Sequence, residues 1–221
     1  MNPDDTSAEF EAIAAANRPE ADWMTTPPWA IRYRPVQTGD NIIGARVVVA
    51  MRGEGLRSDL RAITNPQPPS TSIEVATEQN WYRNPASPAG VTDVPCELVL
   101  AEEAVPYPSD LPPEGDPRHA EALHRLRRTP ADGSPWPLRL PTRAQAADSL
   151  VGRRIIIRRL HDDRTWRDVR NYRAVSPIVS AQRDANEQMV RVIDEASWYA
   201  APGDASIPAA MGLEAFRVWV E

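Results

Sequence analysis

Short runs of β-branched residues, bounded by Gly, Pro, Asn and Asp, recur along the chain, while helix-period stripes are few. This is the pattern of strands that bury one face. RVVVAM and LRSDLRAI, joined by Arg52-Gly53-Glu54-Gly55, predict one β-hairpin. RIIIRRL and TWRDVRNYRAV, joined by His161-Asp162-Asp163-Arg164, predict a second. With the WAIRYRP and IEVAT segments and a closing strand, the first half holds about five strands in roughly 80 to 90 residues, which suits a small barrel or compact sheet domain. The segments QTGDNIIG and TRAQAADSLVG, ahead of the hairpins, are each expected to form a helical turn, with Thr142 as N-cap of the second.

The two halves repeat one another. Pro28-Trp29-Ala30-Ile31-Arg32 returns as Pro135-Trp136-Pro137-Leu138-Arg139, and IIGARVVVAMR from Ile42 returns as LVGRRIIIRRL from Leu150. Gly44 thereby aligns with Gly152 and Arg46 with Arg154. Asp59-Leu60-Arg61 is matched with Asp168-Val169-Arg170, and IEVATEQNWYRNP from Ile73 with VRVIDEASWYAAP from Val190. The last match places Trp81-Tyr82 opposite Trp198-Tyr199, and ELVLAEE and FRVWVE close the copies. A period this long signals a domain written twice. The expected architecture is mainly β, all-β or α+β: a tandem duplication of a domain of about 85 residues with short helices added. Its parts are an acidic arm over 1–26, a first repeat over 27–104, a Pro-rich linker over 105–132 and a second repeat over 133–221. Thr6-Ser7-Ala8-Glu9 has capping-box spacing and predicts a short helix in the arm. In the linker, Asp116 and Pro117 predict a helix start, with Leu123 and Leu126 facing one way.

In each copy the glycine-led strand, the charged turn and the Asp-x-Arg strand resemble the opening strands of SH3-like small barrels, including those ahead of some actinobacterial acetyltransferase domains. The resemblance covers about 20 residues per copy and implies an SH3-like barrel. Asp59 and Asp168 stand where such sequences often carry an acid. No acetyl-CoA pyrophosphate loop follows, so the resemblance does not imply acetyltransferase activity.

Composition removes several chemistries. All 25 basic residues are arginine, so a Walker-type phosphate lysine, a Schiff-base lysine and a Ser-Lys dyad are excluded. A GC-rich genome explains missing lysine through codon usage; selection against lysine-targeted tagging, as in a phage or toxin protein, is the alternative. Cys96 is the only cysteine, which excludes an intrachain disulfide and a zinc site built from several thiolates. No apolar run approaches the roughly 18 to 20 residues of a membrane helix, and the acidic start is unlike a signal peptide. The expectation is a soluble protein, cytoplasmic or in a virion if phage-encoded, without membrane contact.

Catalytic signatures are sparse. His119 and His124 are five residues apart and do not share a helix face, and His161 lies in a hairpin turn, so no metal site is expected. No serine sits in a nucleophile elbow, Gly53-Glu54-Gly55 reads as a turn, and Cys96 reads as a buried structural thiol. No catalytic residue and no cofactor are assigned. Net charge is −5 over 1–26, −2 over 27–104, −1 over 105–132 and +2 over 133–221. Eight arginines fall between Arg153 and Arg173. Arg153, Arg158, Arg159, Arg164 and Arg167 are therefore the candidate anion- or partner-binding hairpin, partly neutralised by Asp162, Asp163 and Asp168. Arg158 and Arg159 are expected on opposite faces of their strand. Trp81, Tyr82, Trp198 and Tyr199 are the candidate aromatic loops, read as structural plugs with a partner-binding platform as the alternative. The functional expectation is a non-catalytic structural or protein-interaction protein with a protein partner or self-assembly, in the setting of a phage or actinobacterial particle component or host-interaction factor. The alternatives are a nucleic-acid or polyanion-binding module using the arginine hairpin and a carboxylate-based hydrolase.

Overall fold

The predicted strands form, and in each half their last member turns back to pair with the first strand of the hairpin. A computed structural model describes residues 28–51, 55–105, 111–112, 116–126, 139–163, 165–180, 188–200 and 210–221. The chain divides into two units, one made of Trp29–Leu140 and Ala196–Asp204, the other of Met1–Pro28, Pro141–Glu195 and Ala205–Glu221. The arm helix predicted at Thr6 and the tip of the first hairpin, 52–54, lie outside the described residues.

The first unit contains β1 (Ala30–Pro35), β2 (Arg46–Met51), β3 (Gly55–Ala62), β4 (Ser72–Thr77), helix α1 (Glu78–Arg83), β5 (Thr92–Pro95), a 3-10 turn (Cys96–Leu98), β6 (Val99–Val105) and helix α2 (Pro117–Leu126). All its strand pairings are antiparallel, in the order β1-β6-β2-β3-β4-β5. A bulge between Val47 and Val49 shifts the β2–β3 register. Such a bulge bends the strand and increases local twist, which curls the sheet. Val47, Val49, Leu60, Ile73, Val75, Val94 and Val99 fill the core of this unit. Arg118 N donates to Asp116 Oδ1 at 2.8 Å, the capping expected of α2. Leu123 and Leu126 of that helix pack on buried Ala30 and Leu140, as their spacing predicts.

The other unit contains β7 (Thr142–Arg143), β8 (Arg154–Leu160), β9 (Trp166–Ala174), β10 (Val179–Ser180), β11 (Gln188–Asp194), helix α3 (Glu195–Ala200, of which only Glu195 groups with this unit), β12 (Met211–Glu214), a 3-10 turn (Ala215–Arg217) and β13 (Val218–Val220). Its strands run β10-β11-β9-β8-β13-β7, with β12 on β11. Setting β10 aside, each strand has a counterpart in the first sheet with the same neighbours. A bulge between Ile155 and Ile157 occupies the place of the one in β2. Mainly β architecture is thus what the chain adopts: among the described residues, thirteen strands in two antiparallel sheets and three short helices.

Two expectations are corrected. QTGDNIIG and TRAQAADSLVG form tight turns instead of helical turns, and Thr142 lies in β7 instead of capping a helix. Asp40 Oδ2 accepts from Gln37 N at 2.7 Å and Asp148 Oδ2 from Gln145 N at 2.8 Å, which closes one turn in each unit. A second turn follows, with Gly44 at φ 76° and Gly152 at φ 80°. Ala45 N reaches Ile42 O at 2.8 Å, and Arg153 N reaches Leu150 O at 2.8 Å. Left-handed backbone at the third turn position is incompatible with a helix and favours glycine. The counterpart of Arg61 is also Arg173 and not Arg170. Arg46 faces Arg61 in one hairpin register and Arg154 faces Arg173 in the other, because the second hairpin is longer from one arginine to the other.

Replacing Gly44 by alanine is expected to lower stability by more than replacing Gly39. Both residues have positive φ, which costs an L side chain about 1–2 kcal/mol. At Gly44 the added Cβ also meets Trp81 Cζ2 at 3.3 Å, whereas at Gly39 nothing lies within 4 Å. Urea denaturation of the two variants checks the order. Arg34 donates to Asp40 and holds its carboxyl below the usual range. A lowered folded pKa contributes stability that is complete above the ordinary carboxyl pKa and is lost as the pH falls through the lowered value. Asp40→Asn should therefore destabilise the protein at neutral pH and flatten the acid side of its pH–stability curve, read by thermal melts from pH 7 to 3.

Candidate functional site

Each unit carries a buried carboxylate between two arginines. Glu78 opens α1, where Thr77 caps the helix by accepting from Asn80 N at 3.1 Å. Arg46 at the start of β2 and Arg61 near the end of β3 are register partners, so their side chains share one face. Both reach Glu78 Oε1 at 3.3 Å, and Glu78 is 1% exposed. Arg61 also donates to Gly44 O at 2.8 Å, tying the cluster to the glycine turn. Arg46 lies 3.4 Å from Glu102 on β6, and Arg139 lies 2.6 Å from the same carboxylate.

The second unit repeats this arrangement. Glu195 opens α3 and is fully buried, with Arg173 Nε at 3.3 Å and Arg154 Nε at 3.6 Å. Arg173 donates to Gly152 O at 2.8 Å. Glu221, the counterpart of Glu102, pairs with Arg170 at 3.0 Å. Sequence reasoning passes over these glutamates, because a lone Glu after a strand reads as solvated surface. The signal available was register: Glu78 and Glu195 align, as do Arg46 and Arg154.

Trp81 and Tyr82 follow β4 in the chain. They occupy α1, where their rings meet edge-on at 4.8 Å. Trp81 lies against Gly44, and the Arg61 guanidinium stands 5.2 Å from the centroids of both rings. Arg61 also donates to Tyr82 Oη at 2.8 Å. Trp198 and Tyr199 lie on α3, and Tyr199, grouped with the first unit, stacks on Tyr82 at 5.5 Å. All four aromatic residues are half-buried.

The arginine hairpin is divided by its pleat. Arg158 is 2% exposed, bonded to Asp168 at 2.7 and 2.9 Å and placed over Trp219, so it is no surface anion ligand. Alternation had already set it opposite Arg159, which is exposed. Arg167 is exposed and paired with Asp163, and Arg153 is exposed. Arg164 lies outside the described residues. Arg159 faces Arg167 directly across the hairpin. Cys96 is half-buried against the first core, and burial pushes its thiol pKa up. Among the described residues, no group of three or more His, Cys, Asp or Glu is placed to hold a metal ion. No helix among them is long and apolar enough to cross a membrane.

Chemically these clusters are anchors. Glu78 Oε1, Glu102, Glu195 Oε1 and Asp168 face guanidinium groups of the same unit. Removing one member of a buried ion pair leaves uncompensated charge and costs about 3–5 kcal/mol, whereas apolar replacement of the whole set is often neutral. Glu78→Leu alone is expected to fall in that range by urea denaturation. Combining it with Arg46→Met and Arg61→Met should recover much of the loss.

Comparison with protein-family profiles, curated proteins and solved structures finds no match.

Proposed function

We propose that this is a non-catalytic structural or protein-interaction protein that works through self-assembly or a protein partner. The observation that carries the reading is the internal neutralisation of buried charge: carboxylates that could serve acid/base chemistry are spent on arginines of the same unit. The surface adds support. Ile43 and Val151, equivalent residues beside the two glycine turns, are 61% and 58% exposed. Single exposed aliphatics are ordinary, but the same knob at the same turn of both units suits repeated contact. Matched strand order supports the reading of the chain as one small domain duplicated. Its lysine-free composition supports a high-GC actinobacterial source or its phage, with a particle component or host-interaction factor as the role.

A second reading rests on the exposed cross-strand pair Arg159 and Arg167. Like charges directly opposite are unfavourable, and a polyanion would relieve them. Under it the working residues are Arg153, Arg159 and Arg167; Arg158 is withdrawn.

Light scattering after size exclusion, from micromolar to several hundred micromolar, separates the readings. The interaction reading predicts association that increases with concentration and weakens in the Ile43→Asp, Val151→Asp double variant. A protein that stays monomeric throughout and co-purifies with nothing counts against it. Salt-dependent binding to duplex DNA, lost in Arg153→Gln, Arg159→Gln, Arg167→Gln, would favour the polyanion reading.

A further inference from the structure

We infer that Tyr199 is a latch that fastens residues 196–200 to the buried ion cluster of the first unit, so that the paired aromatics serve the chain's own fold. The attachment has two arms. Tyr199 Oη donates to Glu78 Oε2 at 2.9 Å, across 121 residues of sequence. Its ring also stacks on Tyr82, at 5.5 Å between centroids and 16° between planes.

The partners of Tyr199 are themselves fixed. Glu78 is held through its other oxygen by Arg46 and Arg61, and Tyr82 is held by Arg61 and by Trp81. Tyr199 therefore closes onto a surface that packing and charge have already shaped. A hydrogen bond to a charged acceptor is stronger than one between neutral groups, and stacked rings add to it. Opening the latch uncovers the facing sides of Tyr82 and Tyr199 together and takes a donor away from a carboxylate that is 1% exposed. The reading of these residues as a standing partner platform is replaced by one in which the two rings occupy each other. This inference does not depend on the proposed function.

Hydrogen exchange read by mass spectrometry on the full chain tests the latch, comparing the wild type with Tyr199→Ala and Tyr199→Phe. Tyr199→Ala is expected to speed exchange in peptides covering Glu195–Ala200 and Glu78–Arg83 by about tenfold or more. The hairpin Arg46–Ala62 should keep its protection. Tyr199→Phe retains the ring and loses the donor, so a smaller acceleration in the same peptides is expected. Unchanged exchange in Tyr199→Ala would overturn the inference. Uniform acceleration over the whole chain would do so too, because Tyr199 would then be an ordinary core residue. Tyr199→Phe indistinguishable from wild type would overturn the carboxylate arm.

Discussion

A carboxylate buried between two arginines is the constraint on which each unit depends. Taking Glu78 and Glu195 out of water is costly unless each is closely paired, and the pairing arginines must come from the two strands of the adjoining hairpin. The hairpin register, the bulge that follows Arg46 and Arg154, and the short helix that presents the glutamate are therefore required together. The glycine turns belong to the same arrangement. Arg61 and Arg173 donate to the carbonyls of Gly44 and Gly152, and these glycines take up backbone that other residues enter only with strain. Apolar burial supplies the core, but it is non-directional; the ion clusters give the strands and helices a specific address.

The same economy accounts for the arginine content. Without lysine, every cation of the chain is a planar fork able to pair in two directions and to lie over a ring. Arg61 does both, reaching Glu78, Gly44 and Tyr82 while facing Trp81. Arg158 does so as well, held by Asp168 and placed over Trp219, which Arg143 also faces. The surplus of arginine in the second hairpin goes partly to such internal pairs. Among the described residues of that hairpin, Arg153, Arg159 and Arg167 are the exposed arginines.

Strand content, both hairpins and the α2 cap were legible because they rest on local patterning. Burial of Arg158 was half-legible: alternation separated it from Arg159 but did not say which one faced inward. Burial of Glu78 was not legible, since it depends on arginines that arrive from strands well before it in sequence. Helix α1 escaped for a different reason. Six residues complete too few turns to show a period, so EQNWYR carries no helical signal. The match of Arg61 with Arg170 failed because a local Asp-x-Arg resemblance outweighed register, which the longer second hairpin moves on to Arg173.

Glu78 and its arginines act as one coupled structural group. A double-mutant cycle between Arg61→Met and Glu78→Leu, measured by urea unfolding, tests it most directly. Residues joined in one buried network should couple by roughly 1–3 kcal/mol, with the double variant less damaged than the two single losses added together. Simple additivity, with a coupling near zero, would contradict the account and leave the glutamate as one polar residue among others.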